Sequence, residues 1–414
     1  MNEAFITGAG IVSPIGVGKQ AFLEALLAGR CALGPLRGLD VAGFRIGRGG
    51  EIDSASFGES GPLDDGRCLA FALRACREAL GDAGMADALP EDATLALGSG
   101  AGEMRTTEGS LGAPERELFL DHADPLQPPS AITSKLARRL GLRGRQLTFV
   151  NACAAGAQAI AVAAGCVRSG RAEVALAGGV EVVSRMVLSG FEALRAVSPT
   201  GCHPFDAGRD GIQLSELAAF VVIESGRRLR EDPARRGVRP YARLAGSGAS
   251  ADAFHVVRPD EAGAGAVLAL HRALEDAGLT PDEIDYVNAH GTGTIQNDPA
   301  ELAALAQVFG PRAERLPISS TKGMLGHALG ASGAAEAVIC ALALREGFLP
   351  PTTGLRTPIA GYEGYDFVPN EVRRGVSLRH VVSSAFAFGG NNVVLVLSNA
   401  AAGDRDTGAG ALYT

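Results

Sequence analysis

One cysteine and two histidines stand in turns built from small residues, and their types suit the handling of a thioester. Cys153 lies in Phe149-Val150-Asn151-Ala152-Cys153-Ala154-Ala155-Gly156, where a short apolar run meets a small-residue helical stretch. A strand-to-helix turn there aims the side chain outward, and the helix N-terminus draws negative charge toward it. The placement predicts a thiol that ionises more readily than a free cysteine of pKa about 8.5. His290 lies in Asn288-Ala289-His290-Gly291-Thr292-Gly293-Thr294, and His327 ends Lys322-Gly323-Met324-Leu325-Gly326-His327. Thiolate is a strong nucleophile toward a thioester and a matched leaving group, so an acyl chain can wait on Cys153 for a second substrate. Two neutral imidazoles suit another task. Their N–H groups can hold an oxygen that becomes negative, such as the enolate left when a malonyl thioester loses CO2. The Cys153 N–H and an amide of the 386–390 turn are candidates for the tetrahedral intermediate of acyl transfer.

Lys322, five residues before His327, is a candidate to set its protonation through a carboxylate, with Glu301 as the partner. The plainer alternatives are a surface lysine and a glutamate that stabilises the first turn of a helix after Asn297-Asp298-Pro299. His122, His203, His255, His271 and His380 read as structural.

These turns need strands and helices to hold them. Short apolar runs alternate with longer helical patterns along the chain, which indicates mixed α/β layers. Ala4–Gly8 reads as an opening strand. Residues 66–80 read as a helix with Leu69, Ala72, Leu73, Cys76 and Leu80 on one face and Arg67, Arg74 and Arg77 directed elsewhere. Residues 154–168 are almost wholly small and apolar, so that helix is expected to be buried on all sides. Residues 173–179 then form a strand. In the second half, helices are expected over 266–277, 299–309 and roughly 330–345, with strands at 285–289, 316–320, 381–384 and 393–397. Each half holds a strand, a functional turn and a buried Ala/Gly helix, which suggests an internal duplication. The expected units are 1–240, carrying the cysteine, and 241–400, carrying both histidines, with a loosely ordered tail over 401–414.

Composition narrows the classes. The 414 residues are 46% hydrophobic and 20% charged, as in a globular chain with room for two cores. No run approaches the roughly 18 apolar residues of a membrane helix. Met1-Asn2-Glu3-Ala4-Phe5 has no signal-peptide pattern, so a cytoplasmic location is expected. A net charge of −8 argues against non-specific nucleic-acid binding. The seven cysteines are scattered and show neither C-x-x-C pairing nor zinc spacing, which fits free thiols in a reducing compartment. Gly8-Ala9-Gly10 and Gly98-Ser99-Gly100-Ala101-Gly102 lack the remaining features of dinucleotide or phosphate loops.

The chain resembles the beta-ketoacyl-[acyl-carrier-protein] synthases of the thiolase-like superfamily, and most closely the elongating condensing enzymes and their type II polyketide relatives. The resemblance runs from Ile6-Thr7-Gly8-Ala9-Gly10-Ile11-Val12-Ser13-Pro14-Ile15-Gly16 to Phe386-Ala387-Phe388-Gly389-Gly390-Asn391-Asn392. Between them stand Cys202-His203-Pro204-Phe205-Asp206, Arg209-Asp210-Gly211, Asp252-Ala253-Phe254-His255, His290-Gly291-Thr292-Gly293-Thr294 and Ser320-Thr321-Lys322-Gly323. It implies an α/β, five-layered α-β-α-β-α fold with two duplicated halves. It also implies Cys153 as acyl acceptor, His290 and His327 as the decarboxylation pair, and Lys322 and Glu301 as supporting residues. Thr292 and Thr294 would line the malonyl carboxylate site, Phe386 and Phe388 the gating turn, and Phe191 the acyl pocket. The implied partners are an acyl carrier protein, docked through Arg67 and Arg195, and a second subunit. That subunit is either a copy of the chain or a chain-length-factor-like protein. A further basic pair is missing around Asp124-Pro125-Leu126-Gln127. No metal or organic cofactor is implied.

Departures from the family pattern point to a specialised polyketide or polyene pathway, with fatty acid synthesis as the alternative. Asn151 precedes the Ala-Cys pair, Ala155 follows it, Ser215-Glu216-Leu217-Ala218-Ala219 replaces a Gly-rich run, and Ala387 replaces a glycine of the gating turn. Alanine there stiffens the turn. Cys153 speaks against an inactive chain-length factor. A non-catalytic partner subunit and a thiolase-type enzyme acting on CoA esters remain the competing readings.

Overall fold

The computed structural model describes residues 2–53, 66–86, 89–111 and 128–400. His122, the segment 124–127 and the tail expected over 401–414 lie outside them. The first half contributes strands β1 (Ala4–Ser13), β2 (Thr94–Gly98), β3 (Gln146–Phe149), β4 (Val174–Glu181) and β5 (Leu217–Ser225). The second contributes β6 (Ala242–Ala251), β7 (Tyr286–Asn288), β8 (Ile318–Ser319), β9 (His380–Ala387) and β10 (Asn391–Ser398). With Gly16–Val17 paired to β1, they form an 11-stranded sheet in the order β8-β7-β9-β10-β6-β1-β5-β4-β2-β3.

The two halves repeat one topology. β2 runs parallel to β3 and β4, while β4 pairs antiparallel with β5, and β5 with β1. In the second half β7 runs parallel to β8 and β9, while β9 pairs antiparallel with β10, and β10 with β6. Within the sheet the described halves pair through two residue pairs, Phe5 with Arg243 and Ile6 with Ala242. The duplication suggested by the sequence is therefore present strand for strand.

The principal helices are α1 (Arg67–Asp82), α2 (Pro129–Arg139), α3 (Ala155–Arg168), α4 (Arg185–Ala193), α5 (Ala264–Ala277), α6 (Asn297–Phe309) and α7 (Ser332–Glu346). α1 covers β1, β4 and β5 and meets α2; α5 covers β6 and β10 and meets α6. α3 and α7 touch each other and strands of both halves, so they form the middle layer of an α-β-α-β-α stack. Sequence explains the layering. α1 buries Leu69, Ala72, Cys76 and Leu80 and exposes Arg74 and Arg77, as an amphipathic outer helix must. α7 is buried at every residue from Ser332 to Leu344, and only small and apolar side chains fill such a layer cheaply. Glycine sets the spacing at the crossing of these helices. A Cβ on Gly156 would lie 2.8 Å from the Gly330 carbonyl oxygen, and one on Gly333 would lie 2.8 Å from the Ala157 Cβ.

Each middle helix opens through a short 3-10 turn, Ala152–Ala154 before α3 and Leu329–Ala331 before α7. The first residue of each is left-handed, with φ of 52° at Ala152 and 44° at Leu329. An L-residue held there costs roughly 1–2 kcal/mol, and both halves accept that strain at the same topological point. No described helix is long and apolar enough to cross a membrane.

Candidate active site

Strand ends deliver the reactive groups. Cys153 follows β3, His290 follows β7, and His327 follows β8 and the short helix Lys322–Leu325, while the Phe388–Gly390 turn joins β9 to β10. Cys153, His290 and His327 line one cavity of about 350 Å³, together with Thr292, Thr294, Phe191, Phe386, Phe388 and Arg195. Residues far apart in the chain thus share one space. The imidazoles meet edge to face with centroids 5.4 Å apart. Phe191 stacks on Phe388 at 5.7 Å, and Phe386 meets the His290 ring at 6.1 Å, which makes one wall apolar. The Thr292 and Thr294 hydroxyls lie 2.9 Å apart.

Hydrogen bonds fix the tautomers of both histidines. The Leu329 N–H donates to His327 Nδ1 at 3.1 Å, so that nitrogen carries no proton in the neutral ring and Nε2 carries it. Lys322 Nζ stands 3.4 Å from His290 Nδ1, and an ammonium can only donate, so His290 also keeps its proton on Nε2. Burial and the Lys322 charge hold both imidazoles well below the usual histidine range, His290 being lowered further by His327. At neutral pH both are N–H donors without charge.

The thiol departs from the expectation of easy ionisation. Burial pushes Cys153 up to about 12; Lys322 opposes that, and Glu181 and Glu336 add to it. Removing a thiolate from water outweighs the pull of the helix N-terminus.

The supporting residues are arranged differently from the expected pairing. Lys322, only 2% exposed, forms its ion pair with Glu336 of α7 and donates to the His290 carbonyl at 2.5 Å. Glu301 forms no ion pair with Lys322, although the lysine's charge favours its carboxylate. Its carboxylate accepts the His290 and Gly291 N–H groups, each at 2.7 Å, and so clamps the backbone that carries the histidine. Asp298 does the same one turn earlier, accepting from Thr292 at 3.0 Å and Gly293 at 3.1 Å.

Arg195 sits at the exposed mouth of the cavity. Arg67 does not. It is buried, paired with Glu216 at 2.7 Å, and stacked over the Phe71 ring at 4.6 Å. Burying a guanidinium requires such a carboxylate, and that commitment takes Arg67 away from any docking surface.

Sequence reasoning missed Glu336, Glu181, Asp298 and Ser332. Glu181 ends β4 fully buried and accepts the N–H groups of Gly100 at 2.7 Å, Ala101 at 3.0 Å and Gly330 at 3.1 Å. Ser332 Oγ lies 3.1 Å from His327 Nδ1. A usable signal existed for two of them. Glu336 and Glu181 are lone carboxylates inside otherwise apolar, small-residue runs, where an unpaired charge is too costly to bury.

Comparison with known proteins identifies the family. Residues 1–228 match the family described as "Beta-ketoacyl synthase, N-terminal domain", and residues 241–356 match "Beta-ketoacyl synthase, C-terminal domain". The chain is 36% identical to the 3-oxoacyl-[acyl-carrier-protein] synthase 2 of Coxiella burnetii, with 96% of this chain and 98% of the relative covered. It is likewise 36% identical to nodulation protein E of Rhizobium meliloti, with 95% and 98% covered. Among solved structures, the ishigamide ketosynthase/chain length factor superposes with a TM-score of 0.87 at 33% identity, covering 96% of this chain and 99% of the other. The chain belongs to the beta-ketoacyl synthase family, and its fold is the thiolase-like one.

Proposed function

We propose that the protein joins an acyl chain held on Cys153 to a malonyl unit carried by an acyl carrier protein, releasing CO2 and a beta-ketoacyl thioester. The supporting observation is the shared cavity in which one thiol faces two neutral imidazoles whose tautomers leave Nε2–H groups to donate. In the first step the Cys153 sulfur attacks the acyl thioester, and its proton leaves with the departing carrier thiol. In the second, the malonyl carboxylate departs as CO2. The developing enolate oxygen is held by the two Nε2–H groups. Thr292 and Thr294 place the carboxylate, while the Phe386 and Phe388 side disfavours its charge and accepts neutral CO2. In the third, the enolate carbon attacks the acyl-Cys153 carbonyl. The sulfur leaves as thiolate, which takes a proton from solvent; one proton is consumed per turnover. A thiol held up to about 12 is readily restored to its neutral form.

On this reading the chain divides near residue 240 into a cysteine-bearing and a histidine-bearing half. The relative named 3-oxoacyl-[acyl-carrier-protein] synthase supports a carrier-linked substrate, and the ketosynthase/chain length factor neighbour supports assembly with a second subunit. The substitutions at Asn151, Ala155 and Ala387 around the pocket favour a specialised polyketide or polyene pathway. Incubation with acyl-carrier protein followed by mass spectrometry tests the reading. The expected result is an acyl adduct on Cys153, with malonyl-carrier decarboxylation retained in C153A and impaired in H290A. Equal loss of both activities in both variants, or an adduct on another residue, overturns it.

A further inference from the structure

Every residue of α7 from Ser332 to Leu344 is buried, and besides the Cys340 thiol only Ser332 and Glu336 carry polar side chains there. Their four-residue spacing puts both on one face of the helix. Each ends beside a different histidine. Glu336 pairs with Lys322, whose ammonium stands 3.4 Å from His290 Nδ1. Ser332 Oγ lies 3.1 Å from His327 Nδ1. A hydroxyl at the start of a helix more often serves the helix itself, by accepting from a free backbone N–H. Here the cap position is Ala331, and no side chain bonds to that end.

Ser332 is only 4% exposed, and His327 Nδ1 is the one hydrogen-bond partner of its hydroxyl among the described residues. A buried hydroxyl left without a partner is costly, so its proton belongs on that nitrogen. The direction follows from Leu329. Its N–H already donates to Nδ1 at 3.1 Å, so Nδ1 carries no proton and Ser332 can only donate to it. Two donors then share one ring nitrogen and confine the imidazole proton to Nε2. Donation at Nδ1 also draws electron density from the ring, which makes Nε2–H the stronger donor.

We infer that Ser332 is a positioning residue for decarboxylation, its hydroxyl donating to His327 Nδ1 so that the ring is fixed and its Nε2–H is strengthened toward the enolate oxygen. The inference rests on the function proposed above and adds a residue that acts through His327. S332A removes only the hydroxyl and suits a layer already built from small side chains, so the variant should fold. Nuclear magnetic resonance of the full-length protein with nitrogen-15 histidine reads the contact directly, with H327Q identifying the His327 signals. The wild type should show an unprotonated, hydrogen-bonded Nδ1, and S332A should move that resonance toward the position of a free acceptor. Kinetics read the consequence. In malonyl-carrier decarboxylation by C153A, adding S332A should lower kcat roughly three- to tenfold with little change in KM, as expected for one hydrogen bond felt in the transition state. S332T in the same background returns the hydroxyl and should recover part of the loss. An Nδ1 resonance unmoved by S332A, or a kcat equal to that of the C153A parent, overturns the inference. A C153A parent that decarboxylates nothing overturns the proposed function instead, while the spectrum, which needs no substrate, still decides whether Ser332 holds His327.

Discussion

At Cys153 burial and the helix N-terminus act in opposite directions on one proton. Desolvation holds the thiol up to about 12, and Lys322 only partly offsets it. Alkylation by iodoacetamide measures the balance, because only the thiolate reacts. The rate at Cys153 should climb about tenfold per pH unit from pH 7 to 10, with no plateau near the ordinary value of about 8.5. A plateau below that value would show that the helix terminus prevails. Read residue by residue, the sequence marks groups that stand in turns after strands. Cys153, His290 and His327 stand in turns rich in small residues, and all three line one cavity although each is buried. The sequence does not mark a role that depends on what folds against a residue. Glu301 and Glu336 look alike as helix glutamates, yet one clamps the His290 backbone and the other pairs with Lys322. Arg67 resembles its neighbours Arg74 and Arg77 until Glu216 is folded against it.

Among the elements, the middle helices were the most legible, because a run dominated by small and apolar residues fits a buried layer. Of the strands left unassigned from the sequence, β5 and β6 have clear physical reasons. β5 is apolar on both faces, so it lacks the alternation that marks a half-buried strand. β6 reads as a loop because it is rich in Gly, Ser and Ala. Those glycines admit α5, since a Cβ on Gly248 would lie 2.1 Å from the Ala269 carbonyl oxygen and one on Gly246 2.5 Å from that of Ala273. The crossing of α3 with the start of α7 makes the same demand and bears on catalysis. In Gly156→Ala the added methyl meets the Gly330 oxygen at 2.8 Å and the Ala334 Cβ at 3.0 Å, with Gly330 only three residues from His327. Overpacking of this kind costs about 1–3 kcal/mol. Urea unfolding should show that loss, and Cys153 acylation in the folded variant should slow as the two turns are pushed apart. Unchanged stability would show that the helices can separate freely.

The whole molecule builds its site from both halves at once. The first supplies the nucleophile and the second the two imidazoles, each presented where a strand of the duplicated topology ends. Sequence patterning indicated the duplication, but not how the halves lock together, because the lock is a long-range contact between backbone and one side chain. Glu181 of the first half receives the Gly330 N–H of the second and the Gly100 and Ala101 N–H groups of its own. Burial raises this carboxyl to about 7, against the lowering effect of those donors. A carboxyl whose pKa is higher folded than unfolded binds more protons in the folded state. Its contribution to stability is therefore complete below the unfolded value of about 4.3 and is lost as pH rises through the folded one. Glu181→Gln removes the titration, so the stability of the wild type relative to this variant should fall between pH 5 and pH 8. The shift corresponds to roughly 3 kcal/mol at 1.36 kcal/mol per pKa unit. Urea unfolding of both proteins across that range reads the difference directly. A difference that grows with pH would mean that the N–H donors overcome burial and that the joint between the halves is held by a full negative charge.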